Sequence, residues 1–279
     1  MSRIGFMQGR LSPMVGDRIQ AFPWPHWREE FPAARSLGFT LMEWTVDRER
    51  LPENPIMTRA GRQEVRSLTD AFGVRVRSLT ADCVMEAPFY KAADGERARR
   101  LDDLQALIDA CAQIGIVLLV IPLVDNGRLE NDPQEEDLRR GLLPLAPVLR
   151  DAGMRAVFES DFPPRRLREF IGTFPQDVFG VNYDTGNSAA LGYDPHEEIE
   201  GYGERIWNVH VKDRRRGGTT VPLGTGEADL PTAFRLLARL GYAGGYILQT
   251  ARAADGDHAA ALRRYRDMAA SWLAAADGS

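Results

Sequence analysis

The chain has 279 residues, 44% of them hydrophobic and 27% charged, and a formal net charge of -5. That length holds one large α/β barrel or two ordinary domains and buries enough surface to fold without a disulfide or metal staple. Cys83 and Cys111 are too few for a zinc ribbon or a disulfide framework, no apolar run nears the ~20 residues of a membrane span, and the mild acidity excludes a broad nucleic-acid surface.

Apolar runs of strand length recur along the whole chain: Ile4–Gln8, Thr40–Trp44, Val74–Thr80, Ile116–Pro122, Arg155–Glu159, Phe179–Asp184, Ile206–Lys212 and Gly245–Gln249. Helical stretches fall between them, at His26–Leu37, Thr58–Phe72, Gly95–Ile114, Glu135–Ala152, Pro164–Thr173, Pro195–Gly203, Leu230–Leu240 and His258–Ala276. A glycine follows five of the helical patterns, Gly38, Gly73, Gly115, Gly153 and Gly241, in the manner of a helix end turning into the next strand. Asp229 before Leu230 and Pro231 reads as a helix N-cap. Eight strand–helix units without a linker predict a single (β/α)8 TIM barrel of the α/β class over residues 1–279. A doubly wound sheet would want a Gly-x-Gly-x-x-Gly turn after the first strand, and Phe6-Met7-Gln8-Gly9-Arg10 has none. With no cleavable leader in Met-Ser-Arg-Ile-Gly-Phe, a soluble cytoplasmic protein is expected, with neither membrane nor nucleic acid as partner.

A TIM barrel keeps its chemistry at the carboxyl ends of its strands. Here those ends are Gln8, Glu43, Thr80 with Asp82, Pro122, Glu159, Asp184, His210 and Gln249. Two carboxylates and an imidazole converging on one point repel unless a proton or a cation neutralises them. A divalent ion suits the mixed oxygen and nitrogen donors of Glu159, Asp184, His210 and Gln249, with Mn²⁺, Mg²⁺, Co²⁺ and Zn²⁺ all compatible. Around this set, Gln8 and Glu43 are candidates to touch a substrate. Asn187 either bonds a substrate hydroxyl or is a turn residue after Gly186. Lys212 shares the face of His210 by alternation, and Asp213 follows it. Arg214, with Arg215 and Arg216, either reaches a phosphate or belongs to a solvated loop. Trp24, Trp27 and Trp44 are either an apolar wall for a sugar or packing under the helices.

Tyr183-Asp184-Thr185-Gly186-Asn187, Val209-His210-Val211-Lys212-Asp213 and Pro222-Leu223-Gly224-Thr225-Gly226 up to Asp229 resemble the xylose-isomerase-like TIM-barrel superfamily. Within it the pattern is closest to the sugar-phosphate isomerase/epimerase group, which includes L-ribulose-5-phosphate 3-epimerases and hexulose-6-phosphate isomerases. The resemblance spans nearly the whole chain; it is most specific between Glu159 and Gln249 and looser before Val74. It implies a divalent metal, Mn²⁺ foremost, held by Glu, Asp, His and Glu at the last four strand ends. It also implies a small sugar or sugar phosphate as substrate, and association into homo-oligomers through barrel helices. The two glutamates of that pattern are its acid/base pair. Glu159, Asp184 and His210 match the first three ligands, whereas Gln249 stands where the second glutamate belongs. An amide cannot accept a proton at ordinary pH, so Glu159 remains as the base for α-proton abstraction to an enediolate. One-base isomerisation, or a lyase or dehydratase step, then gains over two-base epimerisation. A sugar-binding barrel without catalysis is the remaining alternative. Glu43, Asp82, Asp161, Lys212 and Asp213 are the candidates for a replacement base.

Overall fold

Eight parallel strands close into one barrel in sequential order, β1-β2-β3-β4-β5-β6-β7-β8, with β1 pairing β8 to seal it. The computed structural model describes residues 3–16 and 18–278. The strands are β1 Ile4–Met7, β2 Leu41–Thr45, β3 Arg75–Thr80, β4 Leu118–Leu123, β5 Arg155–Ser160, β6 Phe179–Asp184, β7 Ile206–Val211 and β8 Tyr246–Leu248. Each overlaps its expected run. The helices that pack outside are α1 Glu30–Ser36, α2 Arg59–Phe72, α3 Asp82–Glu86, α4 Asp94–Ile114, α5 Asp132–Leu142, α6 Ala146–Asp151, α7 Pro164–Ile171, α8 Thr185–Leu191, α9 Pro195–Tyr202, α10 Leu230–Arg239 and α11 His258–Asp277. No helix among the described residues is long and apolar enough to cross a membrane.

The expected helix ends hold. All five glycines that follow helical patterns have positive φ, between 64° and 80°, and the Asp229 side chain accepts from the Thr232 N–H at the start of α10. Three local expectations are corrected. The first helix starts at Glu30 rather than His26, because Pro23 and Pro25 hold the preceding segment in turns. The stretch 135–152 is two helices with a tight turn at Leu143–Leu145 between them, where Pro144 cannot continue the helical ladder. The short helices α3 and α8 were not expected from periodicity.

The apolar core lies between the barrel wall and the helices. Trp44 and Trp27 are buried there with their rings 5.6 Å apart, and the Trp44 indole donates to Asn54 Oδ1 at 3.1 Å. These two tryptophans are packing and not a wall of the mouth. Two register shifts mark the barrel wall, one between Met42 and Glu43 against β3 and one between Val181 and Asn182 against β7. Such bulges re-aim the side chains that follow. After them Glu43 pairs Ser78, Asn182 pairs Asn208 and Asp184 pairs His210.

Candidate active site

Paired residues of parallel strands point the same way, so register identifies what faces the barrel interior. Glu43 from β2, Ser78 and Thr80 from β3, Asn182 and Asp184 from β6, and Asn208 and His210 from β7 all turn inward and are buried. A buried polar layer is stable only when its groups find partners, and this one is linked throughout. Glu43 Oε1 accepts from Thr80 Oγ1 at 2.7 Å and sits 2.6 Å from His210 Nε2. Glu43 Oε2 accepts from Asn208 Nδ2 at 2.8 Å, and Asn208 donates also to Asn182 Oδ1 at 2.9 Å. Asn182 Nδ2 in turn donates to Glu159 Oε2 at 2.9 Å.

His210 is thus held from below through Nε2, and its Nδ1 looks up at the last residues of β5 and β6. Nδ1 lies 3.0 Å from Glu159 Oε2 and 3.9 Å from Asp184 Oδ2. One donor atom from each of Glu159, Asp184 and His210 falls within 4.8 Å of the others, and all three residues are buried. Burial alone would strip the proton from the imidazole, but the carboxylates of Glu43 and Glu159 outweigh it and push the His210 pKa up to about 10. Burial likewise opposes the charge on Asp184 and on Glu43. For Asp184, Lys212 and His210 overcome that cost, and for Glu43, His210 does, so both carboxylates stay below their ordinary values. Lys212 Nζ reaches Asp184 Oδ2 at 2.7 Å. Its stem crosses Gly186, where a Cβ would lie 2.6 Å from Lys212 Cγ, so only glycine leaves that path open.

Asp184 does two jobs. Its Oδ1 caps α8 by accepting from the Gly186 and Asn187 N–H groups at 2.9 and 2.8 Å, which leaves Oδ2 to face Lys212 and His210. Capping carries Asn187 into the first turn of a helix, correcting the turn-residue alternative. Its Nδ2 donates to Glu159 Oε1 at 2.7 Å, and its Oδ1 accepts from Arg214 Nη1 at 2.9 Å. Asn187 and Lys212 therefore contact the triad directly and Arg214 reaches it through Asn187, while Arg215 and Arg216 are exposed.

Two expected substrate contacts are corrected by the geometry. Glu43 lies beneath His210 with no solvent exposure and both oxygens engaged, so its carboxylate holds the imidazole and has no free face for a sugar. Asp213 accepts from the N–H groups of Gly224, Gly226 and Ala228 at 2.9, 2.8 and 3.0 Å. It pins the glycine-rich loop instead of facing the mouth.

Gln8 and Gln249 are buried at the ends of β1 and β8. Gln8 Oε1 accepts from the Thr45 N–H at 3.1 Å, and its Nε2 has no partner among the described residues. Gln249 Nε2 donates to Gln20 Oε1 at 2.8 Å, and its Oε1 has no partner among the described residues. Ile247 pairs His210 and faces inward, so Gln249, two residues on, turns to the same interior. Gln20 comes from the long β1–α1 segment and donates also to Asp82 Oδ2 at 2.7 Å. Burial pushes Asp82 up to about 7. Sequence reading missed Asn182, Asn208 and Gln20. An Asn two residues before Asp184 and another two before His210, each on the inward side of its strand, was the signal for the first two. Gln20 carried no such signal.

The donors present fit a divalent cation: two carboxylates, one imidazole with its far nitrogen fixed by a carboxylate, and a buried amide oxygen without a partner among the described residues. A family profile described as xylose isomerase-like TIM barrel matches residues 31–273. L-ribulose-5-phosphate 3-epimerase UlaE of Escherichia coli O1:K1 / APEC is 27% identical over 259 residues, covering 90% of this chain and 91% of that protein. A solved L-ribulose 3-epimerase superposes with a TM-score of 0.78 at 17% identity, over 99% of this chain and 96% of its own. A xylose isomerase-like TIM barrel protein from Mycobacterium smegmatis in complex with magnesium does so with a TM-score of 0.72 at 19% identity, over 99% of each chain.

Proposed function

This chain belongs to the xylose isomerase-like TIM-barrel family, and from that premise we propose that it is a metal-dependent isomerase or epimerase of a small keto sugar or its phosphate. The observation that carries the reading is the convergence of Glu159, Asp184 and His210 at successive strand ends. Those three, with the Gln249 carbonyl oxygen as a neutral fourth donor, would hold a divalent ion, Mn²⁺ foremost, with Mg²⁺, Co²⁺ and Zn²⁺ served by the same donors. When bound there, the ion supplies a Lewis acid for the sugar's carbonyl oxygen.

Glu159 is the base. Asn187 fixes one of its oxygens and Asn182 the other, so the carboxylate is oriented to take a proton from the carbon beside the carbonyl and to return it after enediolate formation. Gln8 Nε2, a buried donor without a partner among the described residues, is available to a substrate oxygen. Lys212 and Arg214 bring positive charge to the same mouth, where either a sugar hydroxyl or a phosphate finds donors.

The replacement bases are mostly committed elsewhere. Glu43 and Asp213 have both oxygens engaged, Asp161 pairs with Arg128 at 2.5 Å, and Lys212 pairs with Asp184. With Gln249 unable to carry a proton, one-base transfer on a single face fits this site better than two-base inversion. The test is solvent exchange. Ketoses and ketose phosphates incubated with the protein and Mn²⁺ in D₂O should gain deuterium at the carbon next to the carbonyl, and Glu159→Gln should abolish the gain. Absence of exchange across the whole panel would refute the assignment.

A further inference from the structure

Position 249 is the point at which this chain departs from a donor set of three carboxylates and one imidazole, and an amide there brings a difficulty that a carboxylate does not. A carboxylate offers an oxygen whichever way it turns. An amide offers either an acceptor oxygen or a donor NH₂, and the second would point hydrogens at the cation site. Something must therefore decide which end of Gln249 faces the interior.

The neighbours decide it in sequence. Arg10 is a donor that never accepts. It is buried, and although burial and the nearby Arg252 lower its pKa to about 9, it stays charged at neutral pH. Its Nε donates to the Thr250 carbonyl at 2.9 Å and its Nη1 to the Ile19 carbonyl at 2.9 Å, which fixes the guanidinium plane between the β8 end and the β1–α1 segment. Nη2 then faces Gln20 Oε1 at 3.4 Å. At its other end Gln20 meets Asp82 Oδ2, which already accepts from Thr45 Oγ1 at 2.8 Å. A guanidinium on one side and an acceptor on the other leave Gln20 one orientation, with Oε1 toward Arg10 and Nε2 toward Asp82. Gln20 Oε1 also lies 2.8 Å from Gln249. Two amide oxygens cannot sit that close, so Gln249 must present Nε2 to Gln20. Its Oε1, buried and without a partner among the described residues, is left facing the interior.

We infer that Arg10 and Gln20 are positioning residues that lock the Gln249 amide with its carbonyl oxygen, and not its NH₂, toward the cation site. This rests on the metal-site reading proposed above. It explains how a barrel can carry glutamine at the last strand end and keep an oxygen donor there. It also makes Gln20 and Gln249 a matched pair, because a carboxylate at 249 would set an anionic oxygen against Gln20 Oε1.

Calorimetric titration of the full chain with Mn²⁺ tests the inference, with Asp184→Asn as the control for the site itself. Wild type should bind one equivalent and Asp184→Asn should lose it. Gln20→Leu should weaken binding about 10- to 100-fold, the range seen when a residue orienting a ligand is removed. Gln20→Leu/Gln249→Glu should regain it, since a carboxylate has no wrong face. If Gln20→Leu binds as tightly as wild type while Asp184→Asn does not bind, the positioning inference is overturned and the site stands. If wild type binds nothing, or Asp184→Asn binds equally well, the site reading falls and takes the inference with it. A measurement on the wild-type fold needs no altered residue at position 20: titration with diamagnetic Mg²⁺ should move the Gln249 side-chain carbonyl ¹³C resonance, identified by its loss in Gln249→Leu. A stationary resonance at saturating Mg²⁺ would overturn the inference.

Discussion

Replacing Glu43 by glutamine changes almost no volume and removes one charge from the centre of the barrel. Glu43 accepts from Thr80 at 2.7 Å, from His210 at 2.6 Å and from Asn208 at 2.8 Å, and all three partners are buried. Glutamine has a single acceptor oxygen. If its NH₂ faces Asn208, two donors oppose each other. If it faces His210, Nε2 must give up its proton to become an acceptor, which leaves a neutral ring with its one proton on Nδ1, the nitrogen that looks toward Glu159 and Asp184. Either arrangement loses a charge-assisted bond and leaves a buried group unpaired, a cost of about 3–5 kcal/mol. At about 2 °C per kcal/mol for a chain of this size, the melting temperature should fall by roughly 6–10 °C. Mn²⁺ affinity should drop about 10- to 100-fold, because the imidazole loses the partner that fixes its tautomer. Thermal unfolding followed by circular dichroism and Mn²⁺ titration read the two effects separately. A variant that melts with wild type and binds Mn²⁺ as tightly would refute the claim that Glu43 holds His210. A lower melting temperature with unchanged binding would keep the buried network and remove Glu43 from the metal's support.

Two further outcomes follow from groups outside the site. Glu198 on α9 accepts from Ser188 and Tyr202 at 2.7 Å each, and burial pushes it up to about 7. The folded chain therefore holds this proton more tightly than the unfolded one, so its contribution to stability is full at low pH and is lost as pH rises through about 7. Urea unfolding across that window should show wild-type stability falling more steeply than that of Glu198→Gln, and equal slopes would exclude Glu198 as the source. Asp213→Ala frees three N–H groups of the glycine-rich loop. It should cost about 1–3 kcal/mol and open the loop to trypsin at Arg214–Arg216. A variant no more sensitive to trypsin than wild type would show that the loop holds itself.

The strand ends were legible because barrel chemistry depends on one position per strand, and a polar residue closing an apolar run stands out in Glu159, Asp184 and His210. The same rule singled out Glu43 but misplaced its task. The register shift beside Met42 sets it under the imidazole, and nothing in a one-dimensional pattern reports depth. Asn182 and Asn208 were hidden by their chemistry, since an amide inside a strand reads as a weakness of the strand. The helix α8 was hidden because Thr185 and Gly186 are poor helix formers and its cap, Asp184, is also the last residue of β6. Gln20 was the least legible, for it lies in a segment without regular structure and meets its partner 229 residues away.

The cross-barrel reach of Glu43 bears on how such a chain comes to be folded. Its donors Asn208 and His210 stand 165 and 167 residues downstream, beyond any half-barrel made of β1 to β4. A chain reduced to those four strands would hold a carboxylate facing inward with only Ser78 and Thr80 to satisfy it, and it would gain by keeping that end hydrated. Contacts of such sequence separation form late, after loop closure has been paid in entropy. The group that orients the imidazole is thus fully partnered only when β7 has taken its place in the barrel.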